Sequence, residues 1–204
     1  MEKLSKTAKV LYKIIRVLRK ISIAAAIVLA VFLIIAAVIP QSQMGKLVNM
    51  ADEGEMSVIF GSVQLHLTQA LAMKGSLKLF LCLNLFMGAA IVLVYIWGLK
   101  LLENVLAPMK DARPFDTAVS ANLWRLGILT IVSGALHYVL NYVSSYLAIE
   151  LYDFQALFAE GMVKGYVIEN SFEISYLLVP ALIFLLSYVF KYGEQLQKQS
   201  DETL

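Results

Sequence analysis

Four polar side chains recur within one apolar stretch of the third quarter of the chain. Ser133, His137, Asn141 and Ser144 are spaced four, four and three residues apart. On a helix that spacing lines them along one face. Hydroxyl, imidazole and amide groups in a row can hold a small molecule or a lipid, and His137 can respond to a proton. The same row can instead be hydrogen-bonding glue between helices, typically worth only about 0.6 kcal/mol per contact. Tyr138, Tyr142 and Tyr146 form a second line beside it. An unsatisfied polar group facing lipid costs several kcal/mol, so the stripe is expected against other helices or a wet cavity.

Other chemistry is missing from the pattern. There is no H-E-x-x-H, G-x-S-x-G, phosphate loop or dinucleotide fingerprint. His66 and His137 are the only histidines, and Cys82 is the only cysteine. A single cysteine excludes an internal disulfide and a cysteine-based metal cage. No ionisable residue is expected deep within a span, which argues against an ion-coupled transporter. The expectation is a non-enzymatic protein with no cofactor and no metal.

The elements that position the stripe follow from composition. Of 204 residues, 60% are hydrophobic and 16% charged, against about 45–50% and 25% in soluble domains. Mean hydropathy is +0.75. Four apolar runs approach the roughly 20 residues that a spanning helix needs: residues 21–39, 77–99, 126–149 and 174–190. The first holds twelve Ile, Leu, Val and Phe and no charge, and at roughly 0.5 kcal/mol each these favour insertion by about 6 kcal/mol. The expected architecture is an all-α integral membrane protein, one polytopic domain with four transmembrane helices. An N-terminal interfacial helix and a small extracytoplasmic β-hairpin complete it. Residues 40–76 and 150–173 form outer loops, residues 100–125 an inner joint, and residues 191–204 an inner tail. Thirteen of the 17 basic residues fall on the inner segments, so the positive-inside rule places both termini in the cytoplasm. The net charge of +2 is too small to suggest direct binding of nucleic acid.

Individual segments carry finer signals. Leu4, Ala8, Leu11, Ile15 and Leu18 repeat at helical spacing. Lys6, Lys9, Lys13, Arg16 and Lys20 repeat on another face, which predicts a separate helix lying on anionic headgroups of the bilayer. Gly61-Ser62 between two partly alternating runs suits a type II′ hairpin. An amphipathic helix over residues 62–73 is the rival reading. Asn84 and Gly88 share a face expected to pack helices together. The helix after the second span is expected to stop at Pro108. Residues 151–162 suggest an interfacial helix and residues 165–170 a further strand. Pro180 should kink the fourth span.

The joint reads Arg113-Pro114-Phe115-Asp116-Thr117, continuing to Asn122, Leu123 and Gly127. Pro114 forces Arg113 out of helical dihedrals, and Asp116 can cap a new helix. This segment, with the later Phe190, Lys191, Gly193, Leu196, Asp201, Thr203 and Leu204, resembles a bacterial family of four-span membrane proteins described as domain of unknown function 2975. Gln197, Lys198 and Gln199 stand where that family commonly has acidic residues. The resemblance implies no activity. It implies a bacterial cytoplasmic membrane and a neighbour, since members are often encoded beside a small helix-turn-helix regulator.

Three functions fit these observations: a signalling or regulatory protein holding a cytoplasmic partner, a small channel, permease or immunity-type protein, and an accessory membrane protein. The first is preferred. Its candidate partner surface is Arg113, Phe115, Asp116, Leu196, Asp201 and Leu204, and the polar stripe is the candidate intramembrane pocket. Homo-oligomerisation is compatible with all three.

Overall fold

A computed structural model describes residues 2–41, 43, 57–60, 63–66, 75–151 and 174–202. Four long helices dominate it: α1 (Glu2–Val38), α2 (Leu77–Lys110), α3 (Thr117–Leu151) and α4 (Ser175–Glu202). Each is long and apolar enough to cross a membrane. Two four-residue strands, β1 (Ser57–Phe60) and β2 (Val63–His66), pair antiparallel with Phe60 opposite Val63. The turn residues 61–62, and the segments expected at 151–162 and 165–170, lie almost wholly outside the described residues.

The separate N-terminal helix is corrected. The basic segment and the first span form the single helix α1, about 55 Å long at 1.5 Å per residue. No Gly or Pro occurs before Pro40, so the change from basic to apolar composition brings no backbone break. Its packed face does not follow the apolar repeat. Ser5, Ala8, Tyr12, Ile15 and Arg19 are buried or half-buried, whereas Leu11 and Leu18 are exposed.

Two compact units divide the chain. The first takes residues 1–29, 88–139 and 171–204, and the second takes residues 30–87 and 140–170. In the first, Val105 of α2 packs with Val119 and Leu123 of α3, flanked by Met109, Ile183 and Phe190. The N-terminal part of α1 joins α2 there: the Ser5 hydroxyl donates to the Lys110 carbonyl at 2.7 Å, and the Lys110 ammonium lies 4.4 Å over the Tyr12 ring. In the second unit, Ala36, Leu77 and Leu151 form the core. Ser76 caps α2 by accepting the Leu79 N–H at 3.3 Å.

Helix α2 does not stop at Pro108 but runs on to Lys110. Its end is a Schellman closure, in which the N–H groups of Ala112 and Arg113 donate to the carbonyls of Met109 and Pro108 at 3.2 and 3.0 Å. Pro108 lacks an N–H but keeps its carbonyl, which this closure uses. The closure puts Ala112 at φ 60°, a left-handed position usually held by glycine. Asp116 then opens α3, its Oδ1 accepting the Ala118 N–H at 2.9 Å. Pro180 lies in the second turn of α4, fully buried, and the helix continues through it.

Candidate functional site

Phe115 is the centre of the joint. Its ring lies 6.1 Å from that of Phe190, centroid to centroid. It also fills the space over Gly193, where an added Cβ would collide with its Cε1 and Cδ1. The absence of a side chain at Gly193 is therefore what seats the ring on α4. Phe115 remains 40% exposed. Arg113 and Asp116 flank it as an ion pair at 3.6 Å; at the surface such a pair contributes about 0–1 kcal/mol. One layer deeper, the Ser187 hydroxyl donates to the Ser120 carbonyl at 2.8 Å. Asn122, also buried, donates to the Ala118 carbonyl at 2.7 Å. Both bonds satisfy polar groups at the junction of α3 and α4.

Beyond Gly193 the tail residues separate. Ile183, Ser187, Phe190 and Glu194 follow one another on the packed side of α4, and Asp201 continues that row two turns past Glu194. Leu196 lies on the opposite side, following the exposed Leu185, Val189 and Tyr192. The structure thus brings Arg113 and Asp116 together beside Phe115, whose ring packs on α4, and places Asp201 on the side of α4 that faces the ring. Leu196 points elsewhere, and Leu204 lies outside the described residues. From Gln195 to Glu202 the helix is exposed all round, stiffened by the Lys198–Glu194 pair at 2.8 Å.

The polar stripe of α3 is divided between the two units. In the first, Ser133 and His137 line a cavity of about 600 Å³ together with Tyr95, Gly98, Thr130 and Tyr176. The remaining walls are mainly aliphatic. The His137 and Tyr176 rings meet edge to face at 6.3 Å. His137 and Tyr95 are exposed, so the cavity opens sideways instead of being sealed by helices. In the second unit, the Ser144 hydroxyl donates to Asn84 Oδ1 at 2.7 Å, and Asn84 donates to the Phe80 carbonyl at 2.9 Å. Ser144 therefore works as interhelical glue. Asn141 and Tyr142 are exposed, against the expectation that the whole face is covered. Gly88 makes no close approach, since an added Cβ there would meet nothing within 4 Å.

One pair was invisible in the sequence. Arg19 Nη2 meets Glu103 Oε2 at 3.2 Å between α1 and α2. Glu103 is only 7% exposed, and Arg19 Nε and Glu103 Oε1 are buried without a hydrogen-bond partner. The two residues lie 84 positions apart, and Arg19 reads as one more base in a basic run. No local signal links them. Among the described residues, no group of three or more His, Cys, Asp or Glu could hold a metal ion.

Exposed aromatic residues followed by exposed bases mark one level of the first unit. They are Trp97 and Lys100 on α2, Trp124 and Arg125 on α3, and Tyr188 and Lys191 on α4. Such pairs suit a membrane–water interface.

No family model, curated protein or solved structure matches the chain.

Proposed function

We propose that this is a non-enzymatic signalling or regulatory protein of the bacterial cytoplasmic membrane that holds a small helix-turn-helix regulator on its cytoplasmic side. The observation that carries the reading is the end of α4. Eight residues, 195–202, stand out as helix with every side chain exposed, above a joint that fixes their base through Phe115 and Gly193. A helix that is polar all round is stable in isolation only at the margin, and bridging to another body is one of its uses. The family resemblance at the joint and tail supplies the kind of partner.

The membrane boundary in this reading runs through the aromatic and basic pairs near Trp97, Trp124 and Tyr188. Both termini and the joint lie on the cytoplasmic side, with the β1–β2 ladder outside. Thirteen of 17 bases support that orientation. Reporter fusions after Leu204 and within residues 50–60 check it: an exported C-terminal reporter overturns the orientation.

Capture of the regulator in native membranes tests the function. Asp201→Ala should reduce crosslinking to it. Leu196→Ala, on the other side of α4, should leave it unchanged. Phe115→Ala should lower thermal stability in detergent by about 1 kcal/mol and retain capture, because the ring packs on its own chain. Loss of capture from Phe115→Ala with unchanged melting would make Phe115 the partner's anchor, and no effect from any of the three removes the shared surface.

The cavity favours a second reading, a small channel, permease or immunity-type protein. Its roughly 600 Å³ lies within the range of ligand sites, about 300–1,000 Å³, and its polar groups gather at Ser133, His137 and Tyr176. Ser133→Phe should fill it. If the cavity is used, this variant and His137→Leu both change output at constant protein level. Full activity in both leaves the stripe as packing alone.

A further inference from the structure

Helix α1 carries a second seam, on the side away from α2. Val10, Ile14, Val17, Ile21, Ala24 and Val28 follow one another at alternating four- and three-residue steps, and all are exposed. The face that packs on α2 shows the same alternation, from Ser5 through Ala8, Tyr12 and Ile15 to Arg19. Apolar residues facing lipid need no explanation between Ile21 and Val28. The lower part does need one. Arg19 meets Glu103, and Tyr12 and Ser5 meet Lys110, so Val10, Ile14 and Val17 run beside residues 103–110 of α2. That stretch lies past Trp97 and Lys100, on the cytoplasmic side of the boundary proposed above. At this level Val10 is 58% exposed, Ile14 49% and Val17 55%. Isolated apolar residues at a surface are ordinary, but a contiguous row marks a contact.

We propose that a second copy of this chain covers the row, α1 lying against α1 in parallel. The spacing is that of left-handed helix pairs, and five of the six residues are β-branched, the type that packs well at such positions. The row also limits what its partner can be. It passes without interruption from the level of Lys110 into the apolar layer, so the partner must change from water-compatible to lipid-compatible at the same height. A parallel copy of α1 does this by construction. Lipid covers only the upper part of the row, and a soluble protein only the lower. Charge allows the pairing too. Lys6, Lys9, Lys13, Arg16 and Lys20 lie along one edge of the row, and a two-fold axis parallel to the helices places the two basic edges on opposite sides of the pair.

The pairing rests on the membrane boundary proposed above, and the test separates the two. In a Cys82→Ser background, single substitutions Val10→Cys, Ile14→Cys and Val17→Cys are oxidised in native membranes. All three should give disulfide-linked dimers, severalfold more than Lys9→Cys or Lys13→Cys on the basic edge. Ile14→Lys with Val17→Lys should abolish dimers trapped by a chemical crosslinker while keeping the parent's thermal unfolding, since neither residue packs within its own chain. A Lys100→Cys variant reports the boundary through a membrane-impermeant maleimide, which should label it in inverted vesicles and not in intact cells. Labelling of Lys100→Cys without dimers at the seam overturns the pairing and leaves the boundary standing. Absence of labelling overturns the boundary and the pairing with it. Seam cysteines that crosslink mainly to a different protein also overturn the pairing.

Discussion

Arg19→Met should lower the unfolding free energy by about 3 kcal/mol, and adding Glu103→Leu should recover most of the loss. The single change leaves a carboxylate that is 7% exposed without the guanidinium that pairs with it, and breaking a buried pair from one side costs about 3–5 kcal/mol. The lower end applies because the Arg19 side chain is 28% exposed and water partly screens the charge. The pair itself is poorly satisfied, with one buried polar atom orphaned on each side. Replacing both members by apolar groups removes two desolvation costs for the loss of one contact, and such replacements are often neutral or stabilising. Reversible unfolding in mixed micelles measures all four members of the cycle. If the double variant is less stable than either single variant, the pair is a net source of stability and this account of it is wrong.

The second large effect concerns a helix crossing. Gly127→Ala should destabilise the protein by about 1–2 kcal/mol, although alanine is the better helix former by roughly 1 kcal/mol. An added Cβ would lie 2.5 Å from Phe184 Cε1 and 2.8 Å from its Cδ1. The ring has little freedom to retreat, because Trp124 packs against it with centroids 4.6 Å apart. Overpacking of this kind costs about 1–3 kcal/mol, which exceeds the gain in propensity. Phe184→Leu in the same chain should relieve the clash, so the two changes are expected to be non-additive. Gly88→Ala is the internal control: with nothing within 4 Å, only the propensity gain remains and stability should rise. Equal effects at the two glycines would show that packing at Gly127 is not what decides.

The four spans and the Asp116 cap were legible because each depends on local sequence: apolar length for a span, one carboxylate beside free N–H groups for a cap. The face of α1 was not. The repeat of Leu4, Ala8, Leu11, Ile15 and Leu18 was expected to lie on the bilayer as one face, and the structure splits it: Ala8 and Ile15 share the packed side with Tyr12 and Arg19, while Leu11 and Leu18 are exposed. The rule that apolar faces turn inward assumes water outside. Where lipid lies outside, there is no hydrophobic drive between helices, and small or polar residues such as Ser144 make the close contacts. The stripe of α3 was found by its spacing, but spacing could not tell that Ser144 reaches Asn84 while Ser133 borders a cavity. Likewise Gly193 stood out as a motif residue without a reason. The reason is the ring of Phe115, 78 positions earlier.

The connection between α2 and α3 has a consequence for how the chain is made. Its six residues, 111–116, complete their turns with partners no more than five positions away: Ala112 and Arg113 close the helix behind them, and Asp116 opens the one ahead. Nothing from α1 or α4 is needed to form those bonds. The contacts of Val105 with Val119 and Leu123 are close in sequence as well, so little loop entropy opposes them. A nascent chain can thus assemble this pair of helices while α4 is still being synthesised. In the orientation proposed above, the two apolar stretches would then enter the bilayer as one hairpin, their polar elbow left on the side where translation occurs, and α4 would seat Gly193 on a Phe115 already in place.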